Sequence, residues 1–168
     1  MRSLIIFLEK ISEWTGRVAV WQLCIVTGIL VYEVVTRRVF NSPHVWTYEV
    51  ITLFYGIHFM ILASYTLLYK SHVSIDIVYL RFSPKKRAIL DVITYLIFFF
   101  PFVIVLLKGG LSLATASWAT YERTLTARLP LVMPLMKTAI GATALLLLLQ
   151  GFANFYRRLF FLIKGEDF

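Results

Sequence analysis

The stretch ILDVITYLIFFFPFVIVLL, residues 89–107, decides the fold class of this chain. It carries a single charged residue, Asp91, among long aliphatic and aromatic side chains. A helix needs about 20 mostly apolar residues to cross a hydrocarbon core about 30 Å thick, because each residue adds about 1.5 Å. Lipid offers no hydrogen-bond partner to the backbone of a lone strand, so this stretch predicts a membrane-spanning helix.

Three further apolar runs have the same character. The four predicted spans cover about residues 18–36, 46–68, 85–107 and 131–155. The third span either ends at Gly109-Gly110 or continues to about residue 118. Strands of a transmembrane β-barrel would alternate apolar and polar residues over segments of about ten residues. The runs of this chain are longer and continuously apolar, which excludes a barrel. The sequence therefore predicts an all-α integral membrane protein in which residues 1–168 form a single domain of four transmembrane helices.

The composition of the whole chain supports this class. Of the 168 residues, 60% are hydrophobic and 15% are charged, whereas a soluble domain carries about 25% charged residues. So few charges cannot cover a water-facing surface, which argues against an ordinary soluble enzyme. The single cysteine, Cys24, excludes a CxxC redox pair and an internal disulfide. The net charge is +8, and the basic residues cluster between the apolar runs. This placement is typical of membrane topology, so no nucleic-acid partner is expected.

Two segments outside the spans are also apolar. Residues 3–15 are predicted to form an amphipathic helix on the membrane surface, or else a plain extension of the first span. The apolar residues of this segment recur at helical spacing: Leu4, Phe7, Leu8, Ile11 and Trp14. The segment HVSIDIVYLRF, residues 72–82, is too short to cross the bilayer. We expect it to lie along the cytoplasmic headgroups between the second and third helices.

The distribution of basic residues predicts the orientation. The N-terminal tail, the loop between spans two and three and the C-terminal tail together hold 11 Lys and Arg residues. The other two loops hold 6, with Lys108 and Lys137 counted in the second of these. Because cytoplasmic loops are enriched in Lys and Arg, both termini are predicted to be cytoplasmic.

Charged residues near the span ends suggest a polar cluster. Glu33 and Arg37 are four residues apart on the first helix and can therefore form an ion pair on one face. We interpret Glu33 as part of a structural ion pair. The alternative is that Glu33 is the proton or cation site of a four-helix exporter that works alone. Glu49 follows a short loop and is expected to bond Arg37 or Arg38, which would join spans one and two at the outer surface.

His58 lies at mid-membrane depth. We expect it to form a hydrogen bond to Ser, Thr or Tyr of another helix. The alternative is a haem or quinone anchor of a redox complex, but haem in a helical bundle needs a second axial ligand at matched depth. His44 and His72 fall in loops on opposite sides of the membrane. No metal or other cofactor and no catalytic site is therefore expected.

Two further motifs concern the third span. Pro101 is expected to loosen the helical hydrogen bond to Ile97 and to kink the helix. The basic run at its start is predicted to contact anionic lipid headgroups: Lys85, Lys86 and Arg87. A transporter that acts alone usually has paired helix breaks in two related halves. This single proline and the small size of the chain instead favour an accessory subunit of a larger partner.

Particular residue strings point to a family. YEVVTRRVFNSPHVWTYEV (residues 32–50) and GIHFMILASYTLLYKSHVSIDIVY (residues 56–79) resemble the DctQ-like small membrane subunit of TRAP (tripartite ATP-independent periplasmic) transporters. The matching positions are Arg37, Arg38, Asn41, Pro43, Trp46, Glu49, His72, Val73 and Asp76. The resemblance spans roughly residues 15–155 and includes Ser83-Pro84, SWATYERT and LLQG. Ser74 departs from the pattern, because a basic residue is common at that position.

The resemblance implies a non-enzymatic transport subunit without a cofactor. It implies a multi-pass protein of a bacterial or archaeal inner membrane that pairs with a large, many-spanning permease subunit. A periplasmic binding protein would deliver an organic acid, and a sodium gradient would drive its uptake. The small subunit would act as a scaffold for the fixed part of an elevator-type transporter. The resemblance places Arg37, Arg38, Trp46 and Glu49 near the side where the binding protein docks, and His72 and Asp76 on the cytoplasmic side.

Overall fold

The computed structural model describes residues 2–69 and 82–164, and it is helical over nearly all of them. The elements are α1 (Arg2–Val39), α2 (Val45–Leu68), α3 (Pro84–Thr94), a π-helical segment (Tyr95–Phe99), α4 (Phe100–Ala119) and α5 (Val132–Lys164). The segments α3, π and α4 form one continuous helical unit. This unit and α1, α2 and α5 are each long and apolar enough to cross a membrane. The prediction of four transmembrane helices is confirmed.

The helix α5 holds the bundle together. It packs along α4 and α3 on one side and along α2 on another, and it also contacts α1. The helix α1 packs mainly along α2. Within the described residues, no extensive contact joins α3 or α4 to α1 or α2. We call the end that holds residues 33–49 and 117–137 the loop end, and the end that holds residues 6–16 and 150–164 the terminal end.

The N-terminal segment continues directly into the first span. The helix α1 is 38 residues long, about 57 Å at 1.5 Å per residue, without a break between residues 3–15 and the rest. Ser12 and Gly16 are buried in the bundle, whereas the Phe7 and Trp14 side chains are exposed. These contacts correspond to the alternative in which residues 3–15 extend the first span. Placement on a membrane surface stays a prediction.

The third spanning unit does not end at its glycine pair. The helix α4 continues past Gly109 and Gly110 to Ala119, so Lys108 lies inside a spanning helix and its assignment to a loop was wrong. Gly110 faces α5, where a Cβ would lie only 2.8 Å from the Gly141 backbone nitrogen. Small residues allow helix backbones in membranes to approach closely. Gly110 therefore serves packing against α5, and the glycine pair does not end the helix.

The helix widens immediately before Pro101. Tyr95–Phe99 is π-helical, and the Phe100 N–H donates to the Tyr95 carbonyl, five residues earlier. A proline inside an α-helix supplies no N–H and clashes with the carbonyl four residues before it, here that of Ile97. The helical hydrogen bond to the Ile97 carbonyl was expected to loosen, and the structure has a π-helical turn at this position.

Polar side chains connect all four spanning units near the terminal end. The Ser12 hydroxyl donates to Gln150 Oε1 at 2.8 Å, and Gln150 Nε2 donates to Asn154 Oδ1 at 3.4 Å. Asn154 Nδ2 in turn donates to the Leu67 carbonyl at 3.2 Å and the Tyr95 hydroxyl at 3.3 Å. Gln150 is fully buried. Because unsatisfied polar groups are costly in lipid, this chain of hydrogen bonds fixes the relative positions of the helices.

Two consecutive arginines of α5 add ion pairs at the same end. Arg157 Nη2 lies 2.6 Å from Glu9 Oε1 on α1, and Arg158 Nε lies 2.9 Å from Asp91 Oδ2 on α3. The side chains are only partly exposed. The helix α5 is therefore joined by a charge pair to a helix on each of its two sides.

Candidate functional site

Glu33 joins the first two helices at the loop end. Its side chain is buried, and Arg37 Nη2 lies 2.9 Å from Glu33 Oε1. The same oxygen accepts the backbone N–H of His44 at 3.3 Å, and Glu33 Oε2 lies 3.5 Å from His44 Nδ1. His44 immediately precedes α2. The expected Glu33–Arg37 pair is present, and its bond to the start of the next helix favours a structural role over a cation site.

The turn between α1 and α2 depends on Asn41. Asn41 has φ 51°, in the left-handed region that asparagine adopts more readily than most residues. The backbone N–H groups of Phe40 and Ser42 both donate to the Thr36 carbonyl, at 3.2 and 3.1 Å. Asn41 therefore reverses the chain direction at the end of α1, and its own side chain is exposed.

Aromatic rings cover this turn. The Tyr32 ring centroid lies 5.7 Å from that of His44 and 6.4 Å from that of Trp46. His44 and Trp46 are 6.1 Å apart with their rings nearly edge to face, an arrangement that aromatic pairs favour. Trp46 stays 39% exposed, so it keeps a free face at the loop end.

Glu49 does not bond Arg37 or Arg38, and that prediction was wrong. Its Oε2 accepts the Thr124 hydroxyl, and its Oε1 accepts the Ala127 backbone N–H at 2.9 Å. Both partners belong to the loop between α4 and α5. The Glu49 side chain is buried, where a carboxylate needs such donors to offset its lost hydration. Glu49 therefore attaches α2 to a distant loop and not to the end of α1.

The loop between α4 and α5, residues 120–131, has a defined structure. The Leu129 N–H donates to the Thr124 hydroxyl at 2.8 Å, and the Thr124 N–H donates to the Leu129 carbonyl at 3.3 Å. An isolated antiparallel bridge joins Arg123 and Pro130. Thr124 thus closes the loop on itself while its hydroxyl donates to Glu49. The loop and α2 form one connected unit.

A second carboxylate holds the start of the same loop. Glu122 Oε2 accepts the Ser117 hydroxyl at 2.6 Å and also bonds Lys137 Nζ of α5. These donors, with Lys137 as the largest influence, lower the pKa of the Glu122 carboxyl below its ordinary value near 4.5. Lys137, assigned to the loop in the topology count, lies in the second turn of α5.

This lowered pKa predicts a pH-dependent contribution to stability. A carboxyl whose folded-state pKa is depressed stabilises the fold above its ordinary pKa, and the contribution is lost as pH falls through the folded value. We expect the thermal unfolding temperature of the wild type to exceed that of Glu122→Gln by a constant margin above about pH 5, shrinking below about pH 4. Circular dichroism in detergent measures both. The Glu13→Gln variant, which removes a half-exposed carboxyl of α1 far from this loop, is the control. A pH-independent margin for Glu122→Gln would contradict the assignment.

The loop end exposes positive charge and apolar side chains. The acidic residues that it contains, Glu33, Glu49 and Glu122, all accept hydrogen bonds from the chain itself. Tyr121 is 83% exposed and Leu125 is 94% exposed. We define the loop-end surface by the exposed residues Arg37, Arg38, Tyr121, Arg123, Leu125 and Arg128. Since its carboxylates are engaged inside, the described part of this surface is basic.

A cleft opens beside this surface between α1 and α2. Its volume is about 350 Å³, and its walls include Glu33, Arg37, Arg38, Thr47 and Tyr48. Leu30, Val34 and Ile51 complete the walls, and nearly all of the surface that the eight residues present to the cleft is apolar. The cleft is open on one side, so it is a groove between helices and not an enclosed binding site.

His58 contacts the backbone of the neighbouring helix. Its Nδ1 lies 2.9 Å from the Ala19 carbonyl oxygen, so that nitrogen carries the proton that it donates. A hydrogen bond was expected, but its acceptor is a main-chain carbonyl and not Ser, Thr or Tyr. Gln22 makes a similar contact, with Nε2 donating to the Phe54 carbonyl at 2.6 Å. These side chains join α1 to α2 inside the membrane.

The remaining predicted residues are far from the loop end or outside the described part. His72 and Asp76, and with them most of the predicted interfacial segment, lie outside the described residues. Lys85 and Lys86 are exposed at the start of α3, and Arg87 Nε donates to the Phe82 carbonyl at 2.8 Å. Contact of these three basic residues with lipid stays a prediction.

Several structural residues were missed in the sequence. Thr124 and Ala127 could not be linked to Glu49 because they are more than 70 positions away. Gln150 and Asn154 did leave a signal, since two amides four residues apart in an apolar run share one helix face. Polar residues in a span usually face the bundle interior, so this pair could have been assigned to the core.

Comparison with known protein families identifies a transporter component. The family model for the DctQ component of tripartite ATP-independent periplasmic transporters matches residues 26–161. The match covers most of the chain, including the loop end and all or part of each spanning helix. No curated protein matches the chain.

Proposed function

This chain belongs to the DctQ family of TRAP transporter components, and from that premise we propose that it scaffolds the large permease subunit of such a transporter. The transporter would carry out sodium-driven, binding-protein-dependent uptake of an organic acid. The DctQ family is a family of transporter components and not of enzymes. The observation that carries the proposal is the set of interior hydrogen bonds through which Gln150 and Asn154 connect all four spanning units.

A scaffold subunit needs a rigid interior and an outer surface that binds its partner. The polar contacts of the interior, together with the ion pairs of Arg157 and Arg158, favour rigidity. The outer faces expose large apolar side chains that suit a membrane partner or lipid: Phe7, Trp21, Phe59, Phe98, Phe102 and Val105. A rigid body of this kind enlarges the fixed part of the transporter, so that a moving element can slide without tilting the assembly.

We place the loop end on the periplasmic side and both termini in the cytoplasm. Without Lys108, which lies within α4, the loop end holds 5 of the counted Lys and Arg residues, and without Arg17, which lies within α1, the other side holds 10. The positive-inside tendency therefore still supports this orientation.

In this orientation the loop-end surface faces the binding protein. Its four arginines and the exposed Tyr121 and Leu125 suit an acidic protein surface with an apolar centre. Complementary charge speeds encounter and selects the partner, and a small apolar contact adds to the affinity. The binding protein would therefore touch this chain as well as the large subunit.

Deletion of this chain tests the scaffold role. We expect cells that make only the large subunit and the binding protein to lose sodium-dependent uptake of the organic acid, because the large subunit lacks its fixed partner. Radiolabelled uptake with an imposed sodium gradient measures the loss, and re-expression of this chain from a plasmid should restore it. Immunoblots of the large subunit separate loss of support from loss of synthesis.

Two results would contradict the scaffold role. One is uptake that is undiminished in the deletion strain. The other is transport by this chain alone in vesicles that is abolished by Glu33→Gln, which would support a stand-alone exporter. A haem spectrum that depends on His58 would indicate a redox anchor instead.

A further inference from the structure

Lys108 carries an exposed charge inside a spanning helix. It lies 11 residues before the end of α4 at Ala119, about 16 Å along the axis. Its side chain is exposed, and within residues 2–69 and 82–164 no group accepts a hydrogen bond from it or forms an ion pair with it. An unpaired ammonium in hydrocarbon is costly, so intramembrane lysines generally pair with a partner.

The depth of Lys108 follows from the length of its helix. The unit from Pro84 to Ala119 has 36 residues, about 54 Å, of which a hydrocarbon core about 30 Å thick covers the middle 20 or so. Centred on this unit, the core extends over roughly residues 92–111. Trp118, an amphipathic residue suited to the interface, lies about 15 Å above Lys108. Both arguments place Lys108 within the core.

The direction of the side chain makes escape to water difficult. Side chains on an α-helix lean toward the helix N-terminus. For Lys108 this direction leads toward Pro84, about 36 Å away, and not toward the nearer end of the helix. Arg17 of α1 shows the opposite case. It also lies in a spanning helix, but it pairs with Glu13 at 2.6 Å and leans toward the nearer, terminal end.

The surroundings of Lys108 suit close contact with another helix. The side of α4 packed on α5 contains Val103, Gly110, Ala114 and Ser117, all buried. The opposite side carries Lys108, then small residues at helical spacing, all exposed: Ser112, Thr115, Ala116 and Ala119. These small residues continue the Lys108 face from the edge of the core toward the loop end, and membrane helix interfaces are enriched in such residues because they let two backbones approach closely.

We propose that the large permease subunit packs on this outward face of α4 and supplies a carboxylate side chain to the Lys108 ammonium inside the membrane. The inference rests on the proposed function, because it names the face by which this chain would bind its large partner. An acidic residue is the occupant that the charge requires, and the small residues beside Lys108 leave room for the backbone of the partner helix.

Co-purification tests the charge pair. With both membrane subunits expressed together, we expect Lys108→Met to reduce the amount of large subunit retained on tagged small subunit by about tenfold or more, since the partner carboxylate is left unpaired. Lys108→Arg should retain most of the binding. Arg17→Met, which removes an exposed cation elsewhere, is the control and should bind as wild type. Equal retention by Lys108→Met and wild type would overturn the charge pair.

Stability of the chain alone separates assembly from folding. Lys108 makes no hydrogen bond or ion pair within the described residues. The Lys108→Met chain, purified without the large subunit, should therefore unfold at the wild-type temperature or higher. If the variant chain is itself less stable, Lys108 has a role inside this chain and the proposal fails.

Cross-linking tests the face independently of the charge. In a Cys24→Ser background, a photoreactive maleimide on Ser112→Cys should cross-link the large subunit, whereas Ala142→Cys on the exposed side of α5 should not. Provided that the complex still forms, this proposal is overturned if only Ala142→Cys cross-links the large subunit. It is also overturned if Ser112→Cys cross-links only a second copy of this chain or only lipid. If wild-type chain retains no large subunit at all, the proposed function itself fails.

Discussion

Substitution of Gly110 with leucine should destabilise the bundle by about 3 kcal/mol or more. A Cβ at this position would lie 2.8 Å from the Gly141 nitrogen and 3.0 Å from its Cα. Both atoms belong to a backbone that cannot rotate away, so the whole of α4 would have to move from α5. That move would reduce the most extensive helix contact in the described part of the molecule.

The adjacent glycine gives a matched control for this result. Gly109 occupies the same helix, and nothing lies within 4 Å of the position where its Cβ would be. Gly109→Leu should therefore unfold at or above the wild-type temperature, since leucine favours the helix more than glycine does. Thermal unfolding in detergent, followed by circular dichroism, compares the two variants. Equal losses for Gly109→Leu and Gly110→Leu would show that the α4–α5 approach is looser than described.

Substitution of Glu49 with leucine should release the loop between α4 and α5. The Thr124 hydroxyl and the Ala127 N–H would both lose their acceptor, and each buried donor left unpaired costs about 1–3 kcal/mol. Glu49→Gln keeps an oxygen for one donor and should have a smaller effect. The loop would then open more often, although the helices that flank it stay in place.

Hydrogen exchange measured by mass spectrometry can detect this opening. We expect amides within residues 120–131 to exchange at least about tenfold faster in Glu49→Leu, because local protection follows the free energy of opening. Thr126→Ala changes an exposed side chain of the same loop and should leave exchange as it is in the wild type. If exchange in Glu49→Leu rises equally across all helices, the substitution unfolds the chain globally and Glu49 does not act through the loop.

The spans were predictable because lipid imposes a simple rule on the backbone. Apolar runs of sufficient length must be helices, whatever they pack against. The same rule explains why the glycine pair was ambiguous. Gly109 and Gly110 disfavour a helix in water, but in a membrane a helix that satisfies its own hydrogen bonds can continue through them. Whether it does depends on a neighbour such as Gly141, which the local sequence does not identify.

The surroundings of Glu49 and Lys108 could not be predicted for a different reason. Glu49 was assigned to the nearest arginines along the chain, yet its donors come from a loop that folds back over α2. The position of that loop is set by how α4 packs on α5. Lys108 was assigned to a loop because the third span was counted as ending at about residue 107, just before the glycine pair. Sequence proximity predicted the Glu33–Arg37 pair correctly because both residues lie on one helix.

The central position of α5 has a consequence for how the protein is made. The helix that joins the others is the last of the four to leave the ribosome, so α3 and α4 have no extensive helix contact to form with α1 and α2 before it arrives. The α1–α2 pair and the unit formed by α3 and α4 must wait in the bilayer as two separate parts, with Gln150 and Asn154 still missing from their polar contacts. Synthesis interrupted before residue 132 would thus leave unassembled helices for the membrane's quality-control proteases, and not a smaller working subunit.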